Sequence, residues 1–233
     1  LPAARSQQHL FNEENQYLKM KSHFSNTEGA LIIDRLIIAI RENKQYLSDI
    51  DGLIGDGDHG INMNKGFTLC REELDKNPGD LAHSAMVLSR ILMMKIGGSM
   101  GPLYGKMFKG FSTALQGIDR IDAGGFGKAL EAMLTAIQSI SPAKPGDKTL
   151  VDTLQPAVET YQKATSEGKD LKEVLPEMKN AAVSGRDSTI DMVAKLGRAS
   201  RLGERSRGVP DAGAVSCCLI LVTMADAITE LIS

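Results

Sequence analysis

Tryptophan is absent from this sequence, and aromatic residues of all kinds make up 4% of it. Few flat rings are therefore available on which single-stranded bases could stack. A basic excess is also missing: 27 Lys and Arg face 29 Asp and Glu, for a net charge of −2. Neither a nucleic acid nor an anionic membrane surface meets an electrostatic footprint here. Cysteine is scarce: Cys70, Cys217 and Cys218 are odd in number, two are adjacent, and none has metal-ligand spacing. That excludes a disulfide framework and points to buried free thiols in a reducing cytoplasm. No apolar stretch of about 18 residues stands out as a bilayer span, and no signal-peptide pattern opens the chain. The expected location is the cytoplasm, with no membrane and no nucleic acid as partner.

What is present is an ordinary globular composition, 42% hydrophobic and 24% charged over 233 residues. The core has to rest on Leu, Ile, Ala and eleven Met. Met is adaptable core filling, which favours a packed interior over a lipid-binding cavity. The opening LPAARSQQHLFNEENQYLK is polar and unpatterned. It reads as a vector-derived leader with the native start at Met20. The expected organisation is an extension over 1–26 and a single domain over 27–233.

Apolar residues at 31, 32, 33, 36, 37, 38, 40 and 47 recur at helical spacing behind Thr27, which predicts one long helix. A loop from Ser48 to Asp58 is expected next, then a helix from His59 to Leu74. Asp80 caps a third, nearly all-apolar helix ending at Gly97 and Gly98. Further helices are expected after GGSMGP, over GGFGKALEAMLTAIQSI, and through TLVDTLQPAVETYQKATSEG, where Pro156 predicts a kink or an early start. DLKEVLPEMKNAAVSGRDSTIDMVAKL forms one bent helix or two, and AVSCCLILVTMADAITELIS is the last. About eight helices and no alternating strand predict one all-α domain.

The chemistry sits in the loops. Gly55, Gly57 and Gly60 match the spacing G-x-G-x-x-G, but helix and polar loop precede them where a dinucleotide fold needs a strand. Between them stand Asp56 and Asp58, with Asp51 just upstream. Three carboxylates this close repel unless a cation holds them. Hard oxygen ligands on a short glycine-rich loop suit Mg²⁺, whose remaining shell comes from water and phosphate. An EF-hand fails, since Ile61 and Phe67 stand where Gly and Glu are required. A solvated acidic loop capping a helix through Asp58 remains the alternative.

His59, Gly60, Ile61 and Asn62 open a helix and can offer donors to an anion. Mg²⁺ prefers oxygen, so His59 reads as a phosphate donor; His9, His23 and His83 have no such setting. GGSMG supplies the Ser99 hydroxyl, and PGDKTLVD puts Lys148 and Thr149 at another helix start. GRASRLGERSRG carries Arg198, Arg201, Arg205 and Arg207, forks that suit phosphate. No Walker pattern is present. Capping glycines, an N-cap at Asp147 and a solvated basic turn are the plain alternatives.

Taken together, DIDGLIGDGDHGINMNKGF, GGSMGPLYG, PGDKTLVDTLQP and GRASRLGERSRGVPDAGAVS, in this order, resemble the nucleotide-binding L subunits of dihydroxyacetone kinases. The resemblance runs from Thr27 to the C-terminus. It implies an antiparallel eight-helix barrel with ADP or ATP and two Mg²⁺ at one end. It assigns the metals to Asp51, Asp56 and Asp58, and the nucleotide to His59, Gly60, Ile61, Asn62, Ser99, Met100, Gly146, Thr149, Leu150, Arg198 or Arg205, Asp211, Ala212 and Gly213. Pro210 precedes Asp211 where relatives read DPGA, and Met100 replaces a commonly small residue.

By the same resemblance, the chain transfers a phosphoryl group to dihydroxyacetone held on a separate K subunit. A phosphohistidine-carrying M subunit, fed from phosphoenolpyruvate, recharges the ADP. ATP-dependent triose or erythrulose kinases and a nucleotide-loaded regulatory relative that binds a transcription regulator are the competing readings. A fatty-acid kinase domain fits less well, because those relatives tend to read PDGDTG. The oligomeric state, a homodimer included, stays open.

Overall fold

The structure is a computed structural model and describes residues 22–233. The leader and the expected start at Met20 lie outside the described residues, as does His9. Among the described residues, nine α-helices carry the fold: α1 (Asn26–Glu42), α2 (Lys44–Ile54), α3 (His59–Leu74), α4 (Leu81–Lys95), α5 (Met100–Leu115), α6 (Ala123–Gln138), α7 (Val151–Ser166), α8 (Leu171–Ser188) and α9 (Ala212–Leu231). Two 3₁₀ segments, Thr189–Asp191 and Ala199–Ser206, sit between the last two. The all-α expectation is met, with one addition. A two-stranded antiparallel pair joins β1 (His23–Ser25) to β2 (Arg120–Asp122), with Phe24 opposite Ile121. Strands of three residues are too short to show an alternating pattern.

Residues just before Thr27 thus pack with the helices that follow. Ser25 and Glu28 form a capping box at the head of α1, reciprocally satisfying two exposed backbone donors. Asn26 is buried and fully used: its amide donates to Leu115 O and Ile118 O, and its oxygen accepts from Ala82 N. One side chain thus ties the starts of α1 and α4 to the end of α5.

The long first helix is interrupted. At Asn43 the backbone N–H and the side-chain amide both return to Ala39 O, ending α1, and α2 restarts at Lys44. The expected loop from Ser48 is helical through Ile54, so Asp51 stands on a helix. Pro156 breaks nothing: α7 runs from Val151 to Ser166 across it. Lacking an N–H, Pro156 leaves the Asp152 carbonyl without its helical partner. That oxygen faces Gly185 of α8, where a side chain's Cβ would lie only 2.3 Å from it.

Packing runs in a cycle. α1 packs on α3 and α4, α4 on α5, α5 on α6, α6 on α7, α7 on α8, α8 on α9, and α9 returns to α1. This is the neighbour order that an eight-helix barrel would have. The interior is aliphatic with a seam of edge-to-face rings, Phe111 on Phe126 and Phe126 on Tyr161. At about 25 cal/mol per Å² of buried apolar surface, such rings and the isoleucines of α1 dominate the stabilising side.

α9 corrects one reading of the sequence. It is long and apolar enough, by length and composition, to cross a bilayer. It is instead a largely buried helix of the packed fold, with Cys217, Cys218, Ile220, Leu221, Met224 and Ile228 buried.

Candidate functional site

Four helices begin at one end of the fold, and their first residues line a single cavity of ≈ 350 Å³. His59 and Asn62 come from α3, Met100 and Leu103 from α5, Val151 from α7, and Ala212 and Gly213 from α9. Each helix start presents the positive end of a dipole, although the first N–H groups of α7 are taken by Thr149 and Leu150. Four dipole ends converging on one space suit an anion. Apolar lining comes from Ile137, Pro142, Ala143, Leu150 and Leu196.

α2 arrives in the reverse sense, its C-terminal turn at the cavity. Asp51 stands in that turn, and Asp56 and Asp58 follow in the loop. Ligand oxygens of all three lie within 4.8 Å of one another. Glycines make this possible. A Cβ on Gly55 would sit 2.3 Å from Asp51 Oδ1, and Gly57 takes φ +76°, where glycine alone is unstrained. Asp51 Oδ2 accepts the His59 N–H at 3.2 Å, and Asp58 makes no side-chain cap on α3. The capping alternative for Asp58 thus fails. Arg198 forms an ion pair with Asp56 at the mouth. A helix C-terminus with three carboxylates fits a hard divalent cation such as Mg²⁺. The acids stand ready for a cation where the helix starts stand ready for an anion.

His59 does not face the carboxylates with its ring. Its Nε2 lies 2.8 Å from Ser216 Oγ, which lies 2.6 Å from Tyr104 OH, and Tyr104 OH donates to Gly213 O at 3.0 Å. This chain ties the starts of α3, α5 and α9 together. Burial lowers the His59 pKa against the opposing pull of Asp51, favouring the neutral ring. Burial likewise holds the Tyr104 phenol well up, so it stays a donor.

Asp211 caps α9 by accepting Ala214 N–H at 2.8 Å. Burial pushes its carboxyl up to about 6, even though that hydrogen bond and nearby Lys148 favour the charged form. Asp152 is buried and organises the preceding loop, accepting Gly146 N–H at 2.5 Å and Thr149 N–H at 2.7 Å.

Of the residues singled out in the sequence, Asp51, Asp56, Asp58, His59, Asn62, Ser99, Met100, Thr149, Leu150, Arg198, Asp211, Ala212 and Gly213 all line the cavity. Four do not. Gly60 is a packing residue, because a Cβ there would lie 2.0 Å from Lys44 O. Ile61 turns outward, 52% exposed. Gly146 lies outside the wall with its N–H taken by Asp152, and Arg205 is exposed beyond the cavity. Lys148 lines the cavity, yet its ammonium turns away to three backbone carbonyls. Asp147 caps no helix; it holds Lys144 N–H and Lys195 instead. Tyr104 and Ser216 were not singled out, although Tyr104 lies inside GGSMGPLYG and Ser216 closes the AGAVS run.

Comparison with known proteins identifies the family and the fold. Residues 53–226 match the DAK2 domain. The chain is 38% identical over 186 residues to a PEP-dependent dihydroxyacetone kinase ADP-binding subunit, DhaL, of Listeria innocua, spanning 79% of this chain and 88% of that one. It is 34% identical over 190 residues to the corresponding Escherichia coli subunit, covering 80% and 89%. Among solved structures it resembles the dihydroxyacetone kinase of C. freundii in complex with AMP-PNP and Mg²⁺. There the TM-score is 0.63 at 23% identity, over 84% of this chain and 33% of that one.

Proposed function

The chain belongs to the DAK2 domain family, and from that premise we propose that it is the nucleotide-binding subunit of a phosphoenolpyruvate-dependent dihydroxyacetone kinase. In this reading it holds ADP as a cofactor that is recharged by a phosphohistidine subunit. It passes the phosphoryl group to dihydroxyacetone on a separate sugar-binding subunit, in the cytoplasm. The observation that carries the reading is the opposition at one cavity end: four helix starts face a helix C-terminus armed with Asp51, Asp56 and Asp58.

Asp51, Asp56 and Asp58 would hold Mg²⁺, two ions by the family resemblance. When bound, the metal supplies positive charge that offsets the phosphate oxygens during transfer. The chain's own work is positioning. N–H groups opening α3, α5 and α9 receive the phosphates beside the positive end of α7, and Ser99 and Thr149 add hydroxyls. Arg198 offers its fork to the departing charge. The wall of Ile137, Pro142, Ala143 and Leu196 takes the base and keeps water out. The His59–Ser216–Tyr104 chain fixes three of the helix starts, so no reorganisation is required as charge moves.

Support for a docking partner comes from the rim. Leu53 and Ile61 flank the acidic loop and are 62% and 52% exposed. The sugar-carrying subunit would cover them. Mixing the chain with a sugar-binding K subunit, dihydroxyacetone and the phosphoenolpyruvate-fed phosphohistidine subunit should yield dihydroxyacetone phosphate. The Asp56→Asn chain should yield none while its helical spectrum is kept. No transfer by the wild type with either this donor or ATP would leave a regulatory nucleotide-loaded relative as the better reading.

A further inference from the structure

Between α8 and α9 the chain makes a long excursion that carries Arg198 to the cavity mouth and delivers Asp211 to the head of α9. The excursion is closed at its base by one side chain. Lys148 Nζ donates to Thr189 O at 2.6 Å, Met192 O at 3.2 Å and Val209 O at 2.6 Å. The first two carbonyls lie where the loop leaves α8 and the third where it returns. Lys148 is 1% exposed, and among the described residues it is the only non-glycine with positive φ, at +61°. A buried ammonium and a left-handed backbone at one residue both carry a cost. Such a combination persists where the surroundings require it.

The surroundings do require it. Asp152 accepts from Gly146 and Thr149 and turns the backbone between them so that Lys148 faces the excursion. Asp147 O accepts Lys195 N–H at 3.1 Å, adding a second tie from the neighbouring residue. Thr189, whose carbonyl accepts the ammonium, also takes the Asp211 N–H on its hydroxyl at 3.0 Å. The ammonium is thus one bond removed from the cap that starts α9.

We infer that Lys148 is a positioning residue that latches the 192–210 loop shut over the cavity, so that Arg198 and the Asp211–Gly213 turn are held together. It touches no substrate in this arrangement; it acts through the two ends of the loop. Fastening both ends of a long loop with one group removes the freedom the loop would otherwise have to open. The consequence for ligand retention rests on the nucleotide-site reading above, whereas the latch itself does not.

The test is amide hydrogen exchange on the full chain without nucleotide, followed by the release rate of ADP in Mg²⁺. Lys148→Met keeps the stem and removes the donor. Lys148→Gly removes both and relaxes the positive φ. In both variants, amides of 192–210 should exchange at least tenfold faster than in wild type, with those of α5 and α6 unchanged. ADP should leave at least tenfold faster. Unchanged exchange in 192–210 would overturn the latch. So would a rise spread evenly through α5 and α6, or failure of both variants to fold, since either makes Lys148 a general stability residue. If wild type holds no ADP, the nucleotide reading falls, and the exchange comparison still decides the latch.

Discussion

Replacing Asp58 by Asn should make the chain more stable without metal and less responsive to it. Asp58 has two like-charged neighbours whose ligand oxygens lie within 4.8 Å. At that separation the repulsion from Asp51 is about 0.9 kcal/mol at the dielectric of water, before salt screening, while Arg198, paired with Asp56, offsets most of the second repulsion. Asp58 gives α3 no side-chain cap, so Asn breaks no bond. It does lose a favourable charge near a helix start, about 0.3–1 kcal/mol. The balance is a gain of up to about 0.5 kcal/mol for the metal-free chain, or roughly 1–2 °C in Tm at this size. Added Mg²⁺ should raise the wild-type Tm and pass the variant by, because a ligand carboxylate is gone. Thermal unfolding with EDTA, with Mg²⁺, and with Mg²⁺ and ADP reads both effects. A variant that is less stable in EDTA, or that gains as much from Mg²⁺ as wild type, would refute the reasoning.

Other positions give equally definite expectations. Gly60→Ala places a methyl 2.0 Å from Lys44 O and 2.8 Å from Ser48 N; α2 and α3 must part, costing roughly 2–4 kcal/mol in denaturant unfolding. Asp211 is raised in the folded state from 3.8 to about 6, so the folded chain binds the extra proton between those values. Its contribution to stability should therefore be greatest below about pH 4 and fall as pH rises to about 6. Asp211→Asn should flatten that slope in a pH series of unfolding curves taken without nucleotide, and an unchanged slope would assign it to another group. Tyr104→Phe removes the donor to Gly213 O and the partner of Ser216. It should cost about 1–2 kcal/mol and quicken ADP release, read by the same unfolding and release assays.

The helices were legible because their apolar residues recur every three to four positions, as at Ile32, Ile33, Leu36, Ile37 and Ile40 of α1, all buried. Their ends were less so. The break at Asn43 rests on a side-chain and backbone return to Ala39 O, within a stretch that has no Gly or Pro to mark it. Pro156 was expected to kink its helix or mark its start; α7 continues across it, and the carbonyl it frees meets the bare surface of Gly185. No local pattern foretells that contact. The acidic triad could be read from charge density alone, but Asp51 was expected on a loop and stands on a helix. Spacing could not separate Arg198 from Arg205, because the 3₁₀ turns around Gly203 set which one reaches the mouth. Lys148 looked like a phosphate ligand in PGDKT; its inverted φ, imposed across six residues by Asp152, sends the ammonium elsewhere.

The central claim, that the triad and the four helix starts together hold a metal-bound nucleotide, is tested most directly by native mass spectrometry of the chain with ADP and Mg²⁺. The expected mass is protein plus one ADP plus Mg²⁺ surviving desalting, with both lost together in Asp56→Asn. Bare protein under those conditions, or an Asp56→Asn chain that keeps nucleotide and metal as wild type does, would contradict it.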